Sequence, residues 1–279
     1  MKILSINCRG LGNLATVGEL HGLVKKEVPK IVFLMETRLH VSSLEILRIK
    51  LGMHGCLGVN RHGFGGGLAL LWAANVVVHV QSYSTFHIDA HVVQDDGCTS
   101  RLTRFYGHLE VSLRSRSWTL LPRLHALFAM PWLVLRDFNE ITALEEKFGR
   151  NDRNLHQMAA FRDALTDCSL LDLGFIRPLF TWSNGRANGD LVRVRLDRGV
   201  ANPEWKLCFP NTVVRNIVVA SSDHLGLLVE FEPGLTQQTK KHRKLFRFEH
   251  VWVREPGCEE VIHEAWHTPV MGTPMYCIT

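Results

Sequence analysis

Apolar residues in the first part of the chain alternate between short runs and helically spaced positions. The run KILSIN, Lys2 to Asn7, stays mostly apolar until it ends on an amide. Between Leu14 and Glu27, apolar residues recur three and four positions apart, the period of a helix packed on one face, and Pro29 follows. A second apolar run, Ile31 to Glu36, ends on an acid. The opening is therefore predicted to be a strand, a helix and a strand.

The middle and later parts carry many short strand-like runs separated by turn residues, a pattern that favours antiparallel hairpins. The runs are GGLALLW, VVVHV, FHIDAHVV, RLTRFYG, LFTW, VRVRL, TVVRNIVVA and GLLVEF. Helices are predicted from Arg114 to Phe128 and around Leu155 to Leu165, with a buried strand from Trp132 to Leu135 between them. Strands outnumber helices, yet helices recur among them. This order predicts two packed sheets with helices on the outside.

The composition fits a sizeable globular unit and excludes several protein classes. The 279 residues are 46% hydrophobic and 21% charged, which allows a substantial core. The seven cysteines include no C-x-x-C pair, which favours reduced thiols over disulfides or a structural zinc site. The most apolar stretch, Gly65 to Val80, is broken by Asn75 and is shorter than the ~20 residues of a membrane span. We therefore expect an intracellular protein with no membrane partner.

The charge pattern changes after Pro233. The net charge of +5 and the pI of about 8.9 fit a nucleic-acid or phosphate partner without requiring one. The segment GLTQQTKKHRKLFRF that follows is polar and basic, as is typical of a linker. We predict a domain over residues 1–234 and a linker-like tail over residues 235–279. The run KKHRK, Lys240 to Lys244, is either a nuclear-import signal or a solvated part of that linker.

Polar residues follow apolar runs at several predicted strand ends, where layered α/β folds gather their ligands. They are Asn7, Glu36, Tyr106, His108, Asp137, Asn139, Asp197, Asp223 and His224. Carboxylate and amide oxygens suit Mg²⁺, and an Asp paired with a His can position and deprotonate a water. Asn and Tyr can donate hydrogen bonds to phosphate oxygens. The set fits metal-assisted phosphodiester hydrolysis.

Each of these residues also has a purely structural explanation. Asn7 could begin the turn NCRGLGN, and Glu36 could cap a helix. Asp197 could be a surface acid paired with the arginines around it, and Asp223 with His224 could belong to a turn. Taken singly, these explanations are at least as good as a role in a site. The order of the blocks along the chain decides between them.

That order resembles a known family. LSINCRGL, FLMETR, FYGH, DFNE, RLDR and SSDH follow one another as in the endonuclease/exonuclease/phosphatase superfamily. The blocks NCRGLGN, GGLALLW, FYGHLE, DFNEI, RLDRGVAN and FRFEHVW look like the endonuclease domain of plant LINE-type, non-LTR retrotransposon polyproteins. The likeness runs from Met1 to about Trp266. It implies a DNase I-like, four-layer α/β sandwich of two mainly antiparallel sheets with flanking helices.

The resemblance implies a metal site and a substrate site. Asn7, Glu36 and Asp223 would bind or orient a divalent metal, Mg²⁺ or alternatively Mn²⁺. Tyr106 and Asn139 would contact the phosphate of the substrate, as would Asn7. The partner would be DNA, and no small-molecule cofactor besides the metal is expected.

The resemblance also implies catalytic roles. Asp137 would orient or deprotonate the attacking water, and Asp197 would support the imidazole of His224. Asp223 with His224 would form the metal-side acid and stabilise the pentavalent phosphorane, while Tyr106 and Asn139 complete the catalytic set. His108 belongs to the FYGH block and receives no firm role.

Three arginines depart from the wording of the family. Arg104 and Arg136 stand where the family has glycine, and Arg177 stands where a glycine is common. If the glycine before Asp137 is needed for a positive φ or a close backbone approach, Arg136 would cost ~1–3 kcal/mol of strain. Its charge would also lower the basicity of Asp137. Alternatively, Arg136 points away from the site, because neighbouring residues of a strand face opposite sides of the sheet.

These departures leave alternatives to an active endonuclease that nicks DNA. One is a catalytically impaired remnant that at most binds nucleic acid, in which Arg104 and Arg136 would strengthen phosphate contacts. The other is a phosphatase acting on small phosphoesters. The resemblance implies that a reverse transcriptase follows this domain, and no Tyr-x-Asp-Asp block occurs in the sequence, so a truncated product is expected.

Overall fold

The computed structural model describes residues 1–60, 66–94, 97–107, 114–151, 153–186 and 190–233, together with 257, 259–260 and 263–264. The chain divides into two units, Met1–Gly234 and Leu235–Thr279. In the second unit only the last five of these positions are described. The predicted linker, the KKHRK run and His108 lie outside the described residues. The first unit contains both sheets and every remaining candidate site residue.

The first sheet has six strands: β1 (Lys2–Asn7), β2 (Ile31–Met35), β3 (Gly55–Val59), β4 (Leu68–Trp72), β14 (Val213–Ile217) and β15 (Gly226–Glu230). They lie in the order β14-β15-β1-β2-β4-β3. Only β1 and β2 are parallel, and the other neighbours are antiparallel. The parallel pair brings the ends of β1 and β2 to the same edge of the sheet.

The second sheet also has six strands: β5 (Val77–Ser84), β6 (His87–Val93), β7 (Thr99–Tyr106), β8 (Trp132–Asp137), β10 (Leu171–Asp172) and β13 (Asp197–Ala201). Their order is β10-β13-β8-β7-β6-β5, and only β7 and β8 are parallel. A small third sheet joins three two-residue strands: β9 (Lys147–Phe148), β11 (Trp182–Ser183) and β12 (Arg193–Val194).

Within the described part of residues 1–233, five helices accompany the sheets: α1 (Leu14–Glu27), α2 (Val41–Lys50), α3 (Arg114–His125), α4 (Leu155–Asp167) and α5 (Pro203–Cys208). Asparagine side chains cap three of them, because Asn13, Asn154 and Asn202 each accept a hydrogen bond from a backbone amide of the first turn. A 3₁₀ turn spans Leu144–Glu146. Among the described residues, no helix is both long and apolar enough to cross a membrane.

Alternate residues of β8 reveal the layers. Leu133 and Leu135 belong to the core between the two sheets, whereas Trp132 and Val134 pack with residues of α3 and α4 on the outer face. The first sheet is covered in the same way, because Leu20 of α1 packs in a cluster with residues of β1, β2 and α2. Burial on both faces explains why these strands are apolar runs without alternation. The predicted four-layer α/β sandwich is confirmed.

The helix and strand boundaries were predicted most accurately where the pattern of apolar residues is strongest. The helix predicted over Leu14–Glu27 is α1, and the strand predicted over Trp132–Leu135 is β8, which continues to Asp137. The helix predicted to end at Phe128 ends at His125. No helix was predicted where α2 and α5 lie. The runs LFTW and VRVRL form only two-residue strands, because a strand there depends on pairing with another short segment and not on its own pattern.

Candidate active site

Three neighbouring strands of the second sheet present polar side chains at one edge. Tyr106 ends β7 in register with Asp137, which ends the parallel strand β8. Asp197 begins β13 and lies opposite Asp137 across an antiparallel pair. A strand that starts where its antiparallel neighbour ends shares that edge with it. The carboxylates of Asp137 and Asp197 are 1% and 3% exposed, so the sheet sets two acids side by side in a buried position.

The edges of the two sheets meet at Glu36. Asn7 ends β1, and its Nδ2 donates to Glu36 Oε1 at 3.1 Å. Tyr106 reaches across from the second sheet, and its Oη donates to the same oxygen at 2.9 Å. The backbone of Glu36 has a φ of 48°, a left-handed conformation that is uncommon outside glycine. The α2 cap is His40, so the helix-cap explanation of Glu36 is wrong. Asn7 also begins its turn, because Oδ1 accepts from the Arg9 amide at 3.3 Å.

Asp137 has one satisfied and one unsatisfied carboxylate oxygen. Its Oδ1 accepts from the Asn139 amide at 3.0 Å, and Asn139 Nδ2 donates to the Gly107 carbonyl at 3.1 Å. Its Oδ2 is buried and has no hydrogen-bond partner among the described residues. The nearest ring nitrogen, His224 Nε2, lies 3.9 Å from it. A buried carboxylate oxygen without a partner marks a position where a proton donor binds.

His224 is oriented by Asp197. The two atoms His224 Nδ1 and Asp197 Oδ2 are 2.8 Å apart, which fixes the ring with Nε2 toward Asp137. Thr181 holds the start of β13, because its Oγ1 accepts from the Asp197 amide at 2.9 Å. The neighbouring Arg195 and Arg198 pair with acids on the other face of the sheet. Asp197 is therefore not a surface acid paired with these arginines.

Burial and mutual charge set the protonation of this group. Burial and the neighbouring Asp197 raise the pKa of Asp137 to about 6. Burial opposes a charge on His224, but Asp197 and Asp137 outweigh it and raise the His224 pKa to about 9. Between these values Asp137 is ionised and the imidazole is protonated. One face of the site therefore offers a proton acceptor beside a proton donor.

Asp223 lies next to His224 and has two polar neighbours of its own. Trp182 Nε1 donates to Asp223 Oδ2 at 2.9 Å, while Arg9 Nε lies 3.3 Å from Oδ1. The loop before it is fixed to α1, because Glu19 accepts hydrogen bonds from the amides of residues 220 and 221. Asp223 is thus a partly exposed carboxylate at the rim, in contrast to the buried pair Asp137 and Asp197.

One group of side chains lies close enough together to hold a cation, and a second set is predicted from the sequence. Among the described residues, one group of three metal-capable side chains places its ligand atoms within 4.8 Å of one another: Asp137, Asp197 and His224. The imidazole of this group is protonated at neutral pH and is bound to a carboxylate, so the group suits proton chemistry. The predicted set of Asn7, Glu36 and Asp223 offers only oxygen ligands, the type that Mg²⁺ prefers. Its Asp223 Oδ1 accepts no hydrogen bond from the described part of the chain and lies 3.3 Å from Arg9 Nε.

Arg136 lies on the opposite face of β8 from Asp137. Its guanidinium carbon is 3.7 Å from the ring centre of Phe105, 4.4 Å from that of Phe138 and 4.8 Å from that of Trp118. Its backbone φ is not positive. The expectation of backbone strain at Arg136 is therefore wrong, and the alternative that this side chain points away from the site is right.

Arg104 lies on the face of β7 that carries Tyr106. Its side chain is buried, and the charges of Asp197 and Asp137 act on it, although burial lowers its pKa to about 10. Both Arg104 and Arg136 are at most 2% exposed, so neither can strengthen phosphate binding at the surface as expected. Arg177, in contrast, is exposed.

The structure links all the described candidates in two adjoining groups. Asn7, Glu36 and Tyr106 form one hydrogen-bonded group. The other group consists of two hydrogen-bonded pairs, Asp137 with Asn139 and Asp197 with His224, with His224 Nε2 3.9 Å from Asp137 Oδ2 and Asp223 next in sequence. Sequence reasoning missed three residues whose hydrogen bonds fix these groups, Glu19, Thr181 and Trp182, and two arginines beside the acids, Arg9 and Arg38. Arg9 and Arg38 stand inside the blocks NCRGLGN and FLMETR, but their partners could not be read from those blocks.

No protein-family model matches the sequence. No curated protein matches it either. Several solved structures do match its fold. A 3′ phosphatase, NExo from Neisseria bound to a product DNA hairpin, has a TM-score of 0.62 and 18% identity, covering 83% of this chain and 99% of that chain. The endonuclease domain of TRAS1, a telomere-specific non-LTR retrotransposon, has a TM-score of 0.60 and 12% identity over 85% of this chain and 99% of that chain.

The AP endonuclease LMAP from Leishmania major has a TM-score of 0.61 and 16% identity, covering 82% of this chain and 86% of that chain. Identities this low establish similarity of fold. The match extends over almost the whole length of each of these structures. The chain therefore has the DNase I-like α/β sandwich fold of these solved structures, as predicted.

Proposed function

We propose that this chain is a divalent-metal-dependent, endonuclease-like domain that nicks DNA and derives from a LINE-type retrotransposon. One observation carries the proposal: buried Asp137 Oδ2 faces His224 Nε2 at 3.9 Å and has no hydrogen-bond partner among the described residues. The sequence blocks shared with plant LINE-type endonucleases support the origin, as does the similar fold of the TRAS1 endonuclease domain.

In this proposal Asp137 is the general base. Its Oδ2 accepts a proton from the attacking water, and its pKa of about 6 makes it more basic than an ordinary aspartate while leaving it ionised at neutral pH. His224 is held by Asp197 and stays protonated, so its Nε2–H can donate to a phosphate oxygen as negative charge develops there.

The remaining candidates bind the phosphate and the metal. Burial and the charge of Glu36 raise the pKa of Tyr106, so this residue keeps its hydroxyl proton, which would turn from Glu36 Oε1 to the phosphate when the substrate binds. The side chain of Asn139 is the second donor to the phosphate. Asn7, Glu36 and Asp223 would hold the divalent cation, which would polarise the phosphate and offset its developing charge.

The position of Arg136 bears on the impaired-remnant alternative. The main argument for impairment was an arginine acting on Asp137, and Arg136 lies on the other face of the strand among aromatic rings. Arg104 lowers the pKa of Asp137, but burial and Asp197 raise it by more. The pKa of Asp137 is therefore still raised, which favours an active endonuclease over a catalytically impaired remnant.

Nicking of supercoiled plasmid with Mg²⁺ tests the proposal. We expect the natural chain to convert plasmid to the nicked form, and Asp137→Asn to lower the rate by roughly 10²–10⁴-fold, the usual worth of a general base. Asp190→Asn is the matched control, because Asp190 is an exposed acid whose one ion pair among the described residues is with Arg150 at 3.6 Å. Equal nicking by Asp137→Asn and the natural chain would contradict the proposal, because the activity would then come from elsewhere.

The same assay separates the small-phosphoester alternative. A phosphatase of small phosphoesters would be inhibited by inositol phosphates added in excess over the plasmid. The proposal predicts that these compounds leave the nicking rate unchanged at constant ionic strength and free Mg²⁺. Hydrolysis of the inositol phosphates with no nicking of plasmid would favour the phosphatase.

A further inference from the structure

Two arginines at the rim each lie beside one of the two carboxylates that we assign to the metal. Arg9 Nε is 3.3 Å from Asp223 Oδ1, and Arg38 Nη2 is 3.9 Å from Glu36 Oε2. The arginine side chains are 53% and 45% exposed, so about half of each faces solvent. No role in catalysis or in binding the metal or the phosphate was assigned above to either arginine.

The loops that carry these arginines are built against each other. The stem of Arg38 lies on Gly10, where a Cβ atom would be 3.3 Å from Arg38 Cδ. The Leu11 amide donates to the Thr37 carbonyl at 2.9 Å, which ties the two loops together. Arg9 and Arg38 have φ angles of 48° and 52°, a conformation that non-glycine residues rarely adopt. Such backbone conformations persist where the surroundings hold them, and they cluster at ligand-binding sites.

The two ion pairs are loose. Neither is short and aligned enough to be a hydrogen bond between the side chains, and exposed pairs of this kind contribute little to stability. Each guanidinium still has donors directed to solvent, and its planar fork matches the oxygens of a phosphate. A divalent cation bound to Glu36 and Asp223 would repel both guanidinium groups from these carboxylates. A nearby phosphate would then be the favoured partner for the two arginines.

We propose that Arg9 and Arg38 form a binding site for DNA backbone phosphates, and that each is held by a metal-binding carboxylate until a divalent cation takes its place. This inference rests on the proposed function and names the residues that grip its substrate. It makes metal and DNA binding cooperative: the cation frees the arginines for DNA, and DNA removes the competitors of the cation.

The inference predicts opposite effects of one substitution on two ligands. In the absence of DNA, Arg9→Gln and Arg38→Gln should each bind Mn²⁺ about twofold to fivefold more tightly, because a competing exposed ion pair is gone. Titration calorimetry with MnCl₂ measures this. Lys26→Gln is the matched control, because Lys26 is 76% exposed on α1 and lies next to Glu27, away from the candidate site.

The same substitutions should weaken DNA binding in the presence of Mn²⁺. Fluorescence anisotropy with a labelled DNA duplex measures it, with every protein carrying Asp137→Asn to stop cleavage. Each arginine variant should reduce the slope of log affinity against log salt by about 0.9, the value of one lost phosphate contact. Lys26→Gln should leave the slope unchanged. Thermal melting verifies that all variants are folded.

The outcomes separate the inference from the function on which it rests. If the natural chain nicks plasmid and binds Mn²⁺, but the arginine variants match Lys26→Gln in both titrations, the inference is wrong and the proposed function stands. Weaker Mn²⁺ binding by the arginine variants would also overturn it, since the arginines would then support the metal site. If the natural chain binds neither Mn²⁺ nor DNA, the proposed function fails and the inference fails with it.

Discussion

At the scale of single residues, the adjacent side chains of Arg136 and Asp137 lie on opposite faces of β8 and affect different properties: Arg136 affects the stability of the fold, and Asp137 belongs to the candidate site. Asp137 points to the inter-sheet side at the candidate site, and Arg136 points to the helix side. The Arg136 guanidinium has no hydrogen-bond partner among the described residues, and burial lowers its pKa well below the ordinary value. Contacts with three aromatic rings offset only part of the cost of burying this charge.

Replacing Arg136 by an apolar residue of similar length should therefore stabilise the fold. We expect Arg136→Met to raise the free energy of unfolding by about 1–4 kcal/mol, as when other buried charges are replaced by apolar side chains. Urea denaturation followed by tryptophan fluorescence measures it. A loss of stability greater than about 1 kcal/mol would mean that the cation–π contacts outweigh the cost of burial.

The protonation of Asp137 and His224 predicts a bell-shaped pH dependence of nicking. The rate should rise as pH passes about 6, where Asp137 loses its proton, and fall above about 9, where His224 loses its own. Asp197→Asn removes the closest negative charge from the ring and should move the alkaline limb down by roughly 1–3 pH units. An alkaline limb that does not move would show that His224 is not the proton donor.

At the scale of elements, the segment Thr181–Trp182, at the start of β11, connects two segments of the candidate site. Thr181 Oγ1 accepts from the amides of Leu196 and Asp197, both at 2.9 Å, and the Thr181 carbonyl accepts from the Leu225 amide at 2.7 Å. Trp182 continues this contact as a β-bridge to His224. One buried threonine therefore connects the start of β13 to the residue after the imidazole.

Removal of this hydroxyl should affect both stability and rate. Thr181→Val keeps the shape but leaves two buried amides without their acceptor, at a cost of about 1–3 kcal/mol each where no water replaces it. Because Asp197 is then less well fixed, the nicking rate of the folded protein should also fall. Thr181→Ser keeps the acceptor and is the control. Equal rates for the two variants would show that the hydroxyl does not position Asp197.

At the scale of the whole molecule, the sequence predicted the layers of the fold and the candidate site residues, but not the contacts between those residues. The apolar runs of β1, β2 and β8 and the spacing in α1 identified these elements, because burial on known faces leaves a strong pattern. The two-residue strands depend on partners far along the chain, so no local pattern marks them.

The candidate site shows the same division. Its acids were found because polar residues ended apolar runs in an order that resembles a family. The roles of Arg9 and Arg38 depend on which carboxylate lies nearby, and the side to which Arg136 points depends on the register of β8 with its neighbours. Such facts arise from the packing of segments distant in sequence. They could be read only from the folded chain.

Hydrolysis is proposed to take place on the face of β8 that carries Asp137, and Arg136, on the opposite face, takes no part in it. The initial rate of Mg²⁺-dependent plasmid nicking by the natural chain, Asp137→Asn and Arg136→Met, prepared in parallel, tests it most directly. We expect Asp137→Asn to lose the activity and Arg136→Met to nick within about twofold of the natural rate, since the Arg136 guanidinium lies among aromatic rings on the other face of the strand. Activity that appears only in Arg136→Met, or that survives in Asp137→Asn, would contradict it.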